Sequence, residues 1–119
     1  MNTPVSFEIA KLLKEKGFNI PQLYFYIDGD ISWKVDNTRC RNQIEGEYAA
    51  PTITEVVMWL YEKHRIWTVV NVNIMGSWYF EHFDLKEKRN AQFKPTDTQY
   101  DSPTEAYSQA IEYTLKNLI

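Results

Sequence analysis

A single cysteine, Cys40, is all that the 119 residues carry. It rules out an internal disulfide and fits a reducing compartment. Glycine is scarce as well, with four in the chain, so most of it is expected in regular structure. No apolar stretch approaches the roughly 20 residues that a membrane-spanning helix needs. The opening run, MNTPVSFEIAKLLKEKG, carries Glu8 and Glu15 and lacks both the basic start and the unbroken apolar segment of a signal peptide. The expectation is a cytoplasmic protein with no membrane contact. Basic charge is not in excess either: 13 Lys and Arg against 16 Asp and Glu leave a net −3. These charges are interspersed, which weighs against a nucleic-acid partner, because neutralising phosphates takes clustered cations. No HxxxH, HExxH or CxxC spacing occurs, and no glycine-rich turn opens a helix, so neither a metal nor a cofactor is expected.

What the chain does have is apolar and aromatic mass, 44% hydrophobic and 15% aromatic. That suffices for a core without metal or disulfide, and residues 1–119 read as one α+β domain. The segment Glu47 to His64 shows the plan most plainly. Pro51 stops what precedes it, and Thr52 with Glu55 forms a capping box. Behind it Ile53, Val56, Val57, Leu60, Tyr61 and His64 recur at steps of three and four, one apolar face of a helix.

Two further helices follow the same logic. Thr3 or Ser6 caps one that ends near Lys16 before Gly17, and Ser102-Pro103-Thr104-Glu105 opens another that buries Tyr107, Ala110, Ile111, Leu115 and Leu118. Between the helices lie two strand–turn–strand signals. Asp28-Gly29-Asp30 separates Gln22–Ile27 from Ile31–Val35. Here the hydrophobic pattern selects an odd turn, which sets Leu23, Phe25 and Ile27 opposite Val35, Trp33 and Ile31. Met75-Gly76-Ser77 separates Ile66–Ile74 from Trp78–Leu85. The same reasoning pairs Val72 with Phe80 and Val70 with His82 on one face, and Trp67 with Leu85 and Val69 with Phe83 on the other. Residues 36–50 and 86–101 read as loops. The resulting order is α-β-β-α-β-β-α: a four-stranded antiparallel sheet of two hairpins, packed with three helices mainly on one face. Pro51-Thr52 and Pro103-Thr104 stand 52 residues apart, the one trace of an internal duplication.

The run Glu47-Tyr48-Ala49-Ala50-Pro51-Thr52, continuing through Val56, Trp59-Leu60 and Glu62-Lys63-His64, resembles a pattern in small proteins from phages and prophages of gut Bacteroidetes. Lys11 to Phe18, Ser102 to Ala106 and Leu115 to Ile119 extend the likeness over most of the chain. The departures fall in the 36–46 and 86–101 loops. The resemblance implies provenance, a bacterial host cytosol and a common fold; it implies no activity and supplies no functional residues.

Chemistry therefore has to be weighed from the residues alone. Cys40, between Arg39 and Arg41, has cations that favour a thiolate but no histidine near it in sequence, so an incidental thiol is the plainer reading. His82, Asp84, Glu81 and His64 offer donors without metal spacing, and Asp28/Asp30 or Glu45/Glu47 look like exposed turns. Neither His82 nor Cys40 makes an enzyme persuasive. Tyr24, Tyr26, Trp67, Tyr79 and Phe83 placed on one sheet face suit stacking of unpaired bases, yet only Lys34 accompanies them. For Trp67, Val69, Phe83 and Leu85 the plainer reading is cover by a helix of the same chain; the alternative is a contact surface, joined by Tyr79 and by Trp59 at the shoulder of the central helix, facing a protein partner or a second copy.

Overall fold

The computed structural model describes residues 3–33, 40–90 and 99–119. It is α+β, and it divides into two compact units, Asn2–Ile53 and Thr54–Ile119. The expected single four-stranded sheet is not formed. The strands make two separate antiparallel sheets, ordered β2-β1-β3 and β4-β5-β6.

In the first unit, helix α1 (Phe7–Glu15) begins at Ser6, whose hydroxyl accepts the Ile9 N–H at 3.3 Å. It ends before Gly17, whose φ of +85° allows the chain to turn away from the helix. Strands β1 (Tyr24–Ile27) and β2 (Asp30–Trp33) form the expected hairpin in another register: Tyr24 faces Trp33, Phe25 faces Ser32, and Ile27 faces Asp30. The turn holds two residues. Asp28 and Gly29 have φ of +52° and +81°, the positive pair that lets a two-residue turn follow the strand twist. Turn chemistry overrides the hydrophobic alternation, and the cost shows in Tyr24, Ile31 and Trp33, which are all exposed. Lys34, Val35 and Arg39 lie outside the described residues.

The region read as a loop after residue 36 contains a 3-10 turn (Arg41–Gln43) and a third strand, β3 (Glu47–Ala49), on the far side of β1. Asn42 welds them together, donating to the Phe18 carbonyl at 2.9 Å and accepting the Ala49 N–H at 2.7 Å. Lys14 of α1 donates to the carbonyls of Ile44 and Glu47. Phe7 packs on Tyr26 and Tyr48.

The second unit takes in all but the first residue of helix α2 (Ile53–His64), whose Val56, Val57, Trp59 and Leu60 are buried. Arg65, at φ +57°, turns the chain into β4 (Ile66–Val72), which pairs with β5 (Trp78–Asp84) over seven residues. The expected faces are present, but the register is shifted by two, so that Val70 faces Phe80 and Trp67 faces Phe83. The loop runs from Asn73 to Ser77, because the Asn73 side-chain oxygen accepts both the Met75 and Ser77 N–H groups. A two-residue strand, β6 (Arg89–Asn90), and Tyr100, bridged to Trp78, lie along the other side of β5, where a loop was expected. Helix α3 (Pro103–Asn117) is capped by Ser102 and covers one face of β4 and β5. The two sheets differ in strand order, so the repeated Pro-Thr is not accompanied by a repeated topology.

Candidate functional site

Alternation along the β4–β5 hairpin sorts its side chains cleanly. The inner face, beneath α3, carries Ile66, Thr68, Phe80 and His82, all at most 5% exposed. The outer face carries Trp67 opposite Phe83, Val69 opposite Glu81, and Asn71 opposite Tyr79, with Leu85 continuing the row. There Trp67 is 38% exposed, Phe83 37% and Leu85 38%, and Val69 and Tyr79 are half-buried. The Trp67 indole meets Tyr61 edge to face at 5.5 Å, and the Arg65 guanidinium lies over Tyr61 at 5.1 Å. Five of the six residues expected to form a contact surface are therefore brought together. Trp59 is not among them: it is 3% exposed, and its indole packs against the His64 ring at 4.9 Å.

Tyr24 and Tyr26 belong to the other sheet, so the single five-aromatic face considered for nucleic-acid stacking does not exist. Tyr26 is also engaged, donating its hydroxyl to the Val5 carbonyl at 2.8 Å.

His82 is fully buried. Its Nε2 lies 2.7 Å from the Thr114 hydroxyl, which in turn donates to the Ala110 carbonyl at 2.9 Å. The hydroxyl has one proton to give, so a chain satisfying all three groups has Nε2–H donating to Thr114. Nδ1 is then a bare acceptor, and it is buried without a partner, as is the hydroxyl of Thr68 directly opposite. Burial lowers the His82 pKa to about 4, against a smaller opposing pull from the Ala110 backbone. The imidazole is neutral at ordinary pH and out of reach of any solute. Cys40 is 1% exposed, its Sγ points at the Phe18 carbonyl at 3.7 Å, and burial pushes its thiol pKa up. The nearby Arg41 is spent elsewhere, stacked on Phe25 and paired with Glu47 at 3.5 Å. Both residues that an enzyme reading would need are buried.

Thr114 escaped the sequence because threonine at a buried helix position reads as a flaw in the apolar stripe. The usable signal was double: a threonine on the apolar face of α3, and a histidine among the inward residues of β5. Next to this cluster an open hollow of about 200 Å3 is lined by Phe80, Tyr100 and Tyr113, with Glu112 and Lys116 paired at 2.7 Å. Among the described residues no cluster of His, Cys, Asp or Glu could hold a metal ion. Nor is any helix among them long and apolar enough to cross a membrane. No protein-family model, curated protein or solved structure matches the chain.

Proposed function

We propose that this chain is a non-enzymatic module acting through protein contacts, with the outer face of β4 and β5 as its docking surface. It is read as an accessory protein of the phage or prophage kind that its Glu47–His64 run resembles, working in the host cytosol. One observation carries the reading. Trp67, Phe83 and Leu85 lie side by side on a hairpin whose other face already serves as the core, yet each keeps more than a third of its surface in water. Contiguous aromatic and aliphatic surface of this kind is enriched at protein interfaces. The burial of His82 and Cys40 favours this reading over the enzymatic alternative, which rested on those two groups.

The test is a Trp67→Ala/Phe83→Ala variant, compared with wild type by circular dichroism, urea unfolding and light scattering. Retained folding with loss of assembly supports the surface. A variant that assembles like wild type refutes this face as the seat of self-association, and one that cannot fold refutes it outright, since the rings would then be core.

A further inference from the structure

The protein-contact reading leaves the partner open, and the backbone of β4 narrows it. The Leu85 N–H donates to the Arg65 carbonyl at 2.8 Å and the Asn73 N–H to the Ser77 carbonyl at 2.8 Å. Hydrogen-bonded pairs alternate along an antiparallel ladder, so odd-numbered residues of β4 spend their backbone groups on β5. Ile66, Thr68, Val70 and Val72 point theirs the other way. β4 is the terminal strand of its sheet, and among the described residues no strand pairs with that side. Ile66 and Thr68 are buried, but Val70 is half-buried and Val72 is 49% exposed, so the half of the edge nearer the turn stands open.

Natural sheets protect open edges with short strands, charges, prolines or bulges. The other terminal strands are defended in this way: β2 has four residues and begins with Asp30, β3 has three and begins with Glu47, and β6 has two and begins with Arg89. β4 has seven residues in unbroken register, with neither charge nor proline. It opens the longest uncharged run of the chain, the fifteen residues 66–80. Across a two-fold axis an edge meets its own equivalent, and the uncharged β4 edge of this net-negative chain does so without like-charge repulsion.

We propose that β4 pairs edge to edge, antiparallel, with β4 of a second copy about a two-fold axis at Asn71. The proposal rests on the reading that the chain acts through protein contacts, and adds the β4 edge as a second contact beside the outer face. Val70 of each copy exchanges both backbone bonds with Val72 of the other. Asn71 faces its own equivalent in the closer, non-bonded pair, where each amide offers both donor and acceptor. The outer faces bearing Trp67 and Phe83 then join into one surface. The pairing engages a short edge, so the dimer is weak and reversible.

Sedimentation velocity over a concentration series is expected to show a reversible rise from one chain mass to two. Asn71→Cys is expected to form a disulfide-linked dimer on mild oxidation, because the closest antiparallel pair has the Cα separation a disulfide spans. Cys40, 1% exposed, does not compete. Val72→Pro removes an N–H that points away from β5 and is expected to give a folded monomer, with Val72→Lys as the alternative if the proline variant unfolds. A wild type that stays monomeric to its solubility limit overturns the pairing while leaving the outer face free to bind a different protein. So does an Asn71→Cys that cross-links no faster than Glu62→Cys on α2. A dimer lost in Trp67→Ala/Phe83→Ala but kept in Val72→Pro overturns the edge and retains the face.

Discussion

Acid should loosen this fold through one residue. His82 has no exposed surface, and its pKa in the folded protein is lowered from 6.5 to about 4. The folded state therefore holds the imidazole neutral over a range in which the unfolded chain protonates it. Above pH 6.5 neither state carries the proton and stability is at its full value. As pH falls from 6.5 towards 4, the unfolded state alone gains a proton, and stability drops by about 1.4 kcal/mol per pH unit. Below 4 both states are protonated and this loss stops growing. The whole interval is worth roughly 3 kcal/mol. Against the roughly 5–15 kcal/mol typical of a domain, that is a large fraction.

The measurement is urea unfolding, followed by tryptophan fluorescence, at half-unit steps from pH 8 to pH 4, on wild type and His82→Gln. Carboxylates also titrate towards the acid end, so the difference between the two proteins is the informative quantity. The wild-type curve should fall away from the variant's between pH 6.5 and 4. At pH 8 the His82→Gln protein should lose little stability if the new amide N–H reaches Thr114. The ring protons of the two histidines, assigned with the same variant, should show one that does not titrate until the protein nears pH 4. Parallel stability curves, or a His82 resonance moving with a midpoint near 6.5, would refute the account: the ring would then be wet and the Thr114 contact incidental.

Three smaller effects follow from the same geometry. Cys40 should react with a disulfide reagent only as fast as the protein opens, so mild urea, more than raised pH, should accelerate labelling; prompt stoichiometric labelling of the native protein would contradict its burial. Asn73→Ala strips two acceptor contacts from the β4–β5 loop and should cost about 1–2 kcal/mol in urea unfolding, with a smaller effect meaning that the backbone holds the loop by itself. Ser102→Ala removes the acceptor of the Glu105 N–H and should cost about 0.5–2 kcal/mol, with Ser102→Asp restoring most of it.

The helices were legible because their ends are written in local chemistry. Ser6, Ser102 and Pro103 act on backbone groups within one turn, and the residues that do the capping are adjacent in sequence. The strands β3 and β6 were not legible, since three and two residues are too few for alternation to rise above the surrounding polarity. What holds them is backbone pairing and side-chain contact: Lys14 of α1 and Asn42 for β3, and a short hairpin in which Asp84 faces Arg89 for β6. The His82–Thr114 bond joins positions 32 apart, and neither residue announces the other.

The two hairpins show why one sequence signal was reliable and another was not. In β4–β5 the pattern named the correct faces although the register was two residues out, because a shift of two leaves every side chain on its own side of the sheet. In β1–β2 the error was a single residue, and it exchanged the faces, leaving Trp33 62% exposed where an inward position had been expected. The deciding residues were Asn73 in the first loop and Asp28-Gly29 in the second, both acting through backbone geometry to which hydrophobicity is blind. A chain that lets turn chemistry set its pairing, at the expense of alternation, leaves apolar side chains outside the core. The outer row of Trp67, Phe83 and Leu85 has a different origin. Its faces were assigned correctly, and its exposure follows from α3 covering only one side of the hairpin. That is why the proposed contact is placed on this row and not on the exposed rim of β1 and β2.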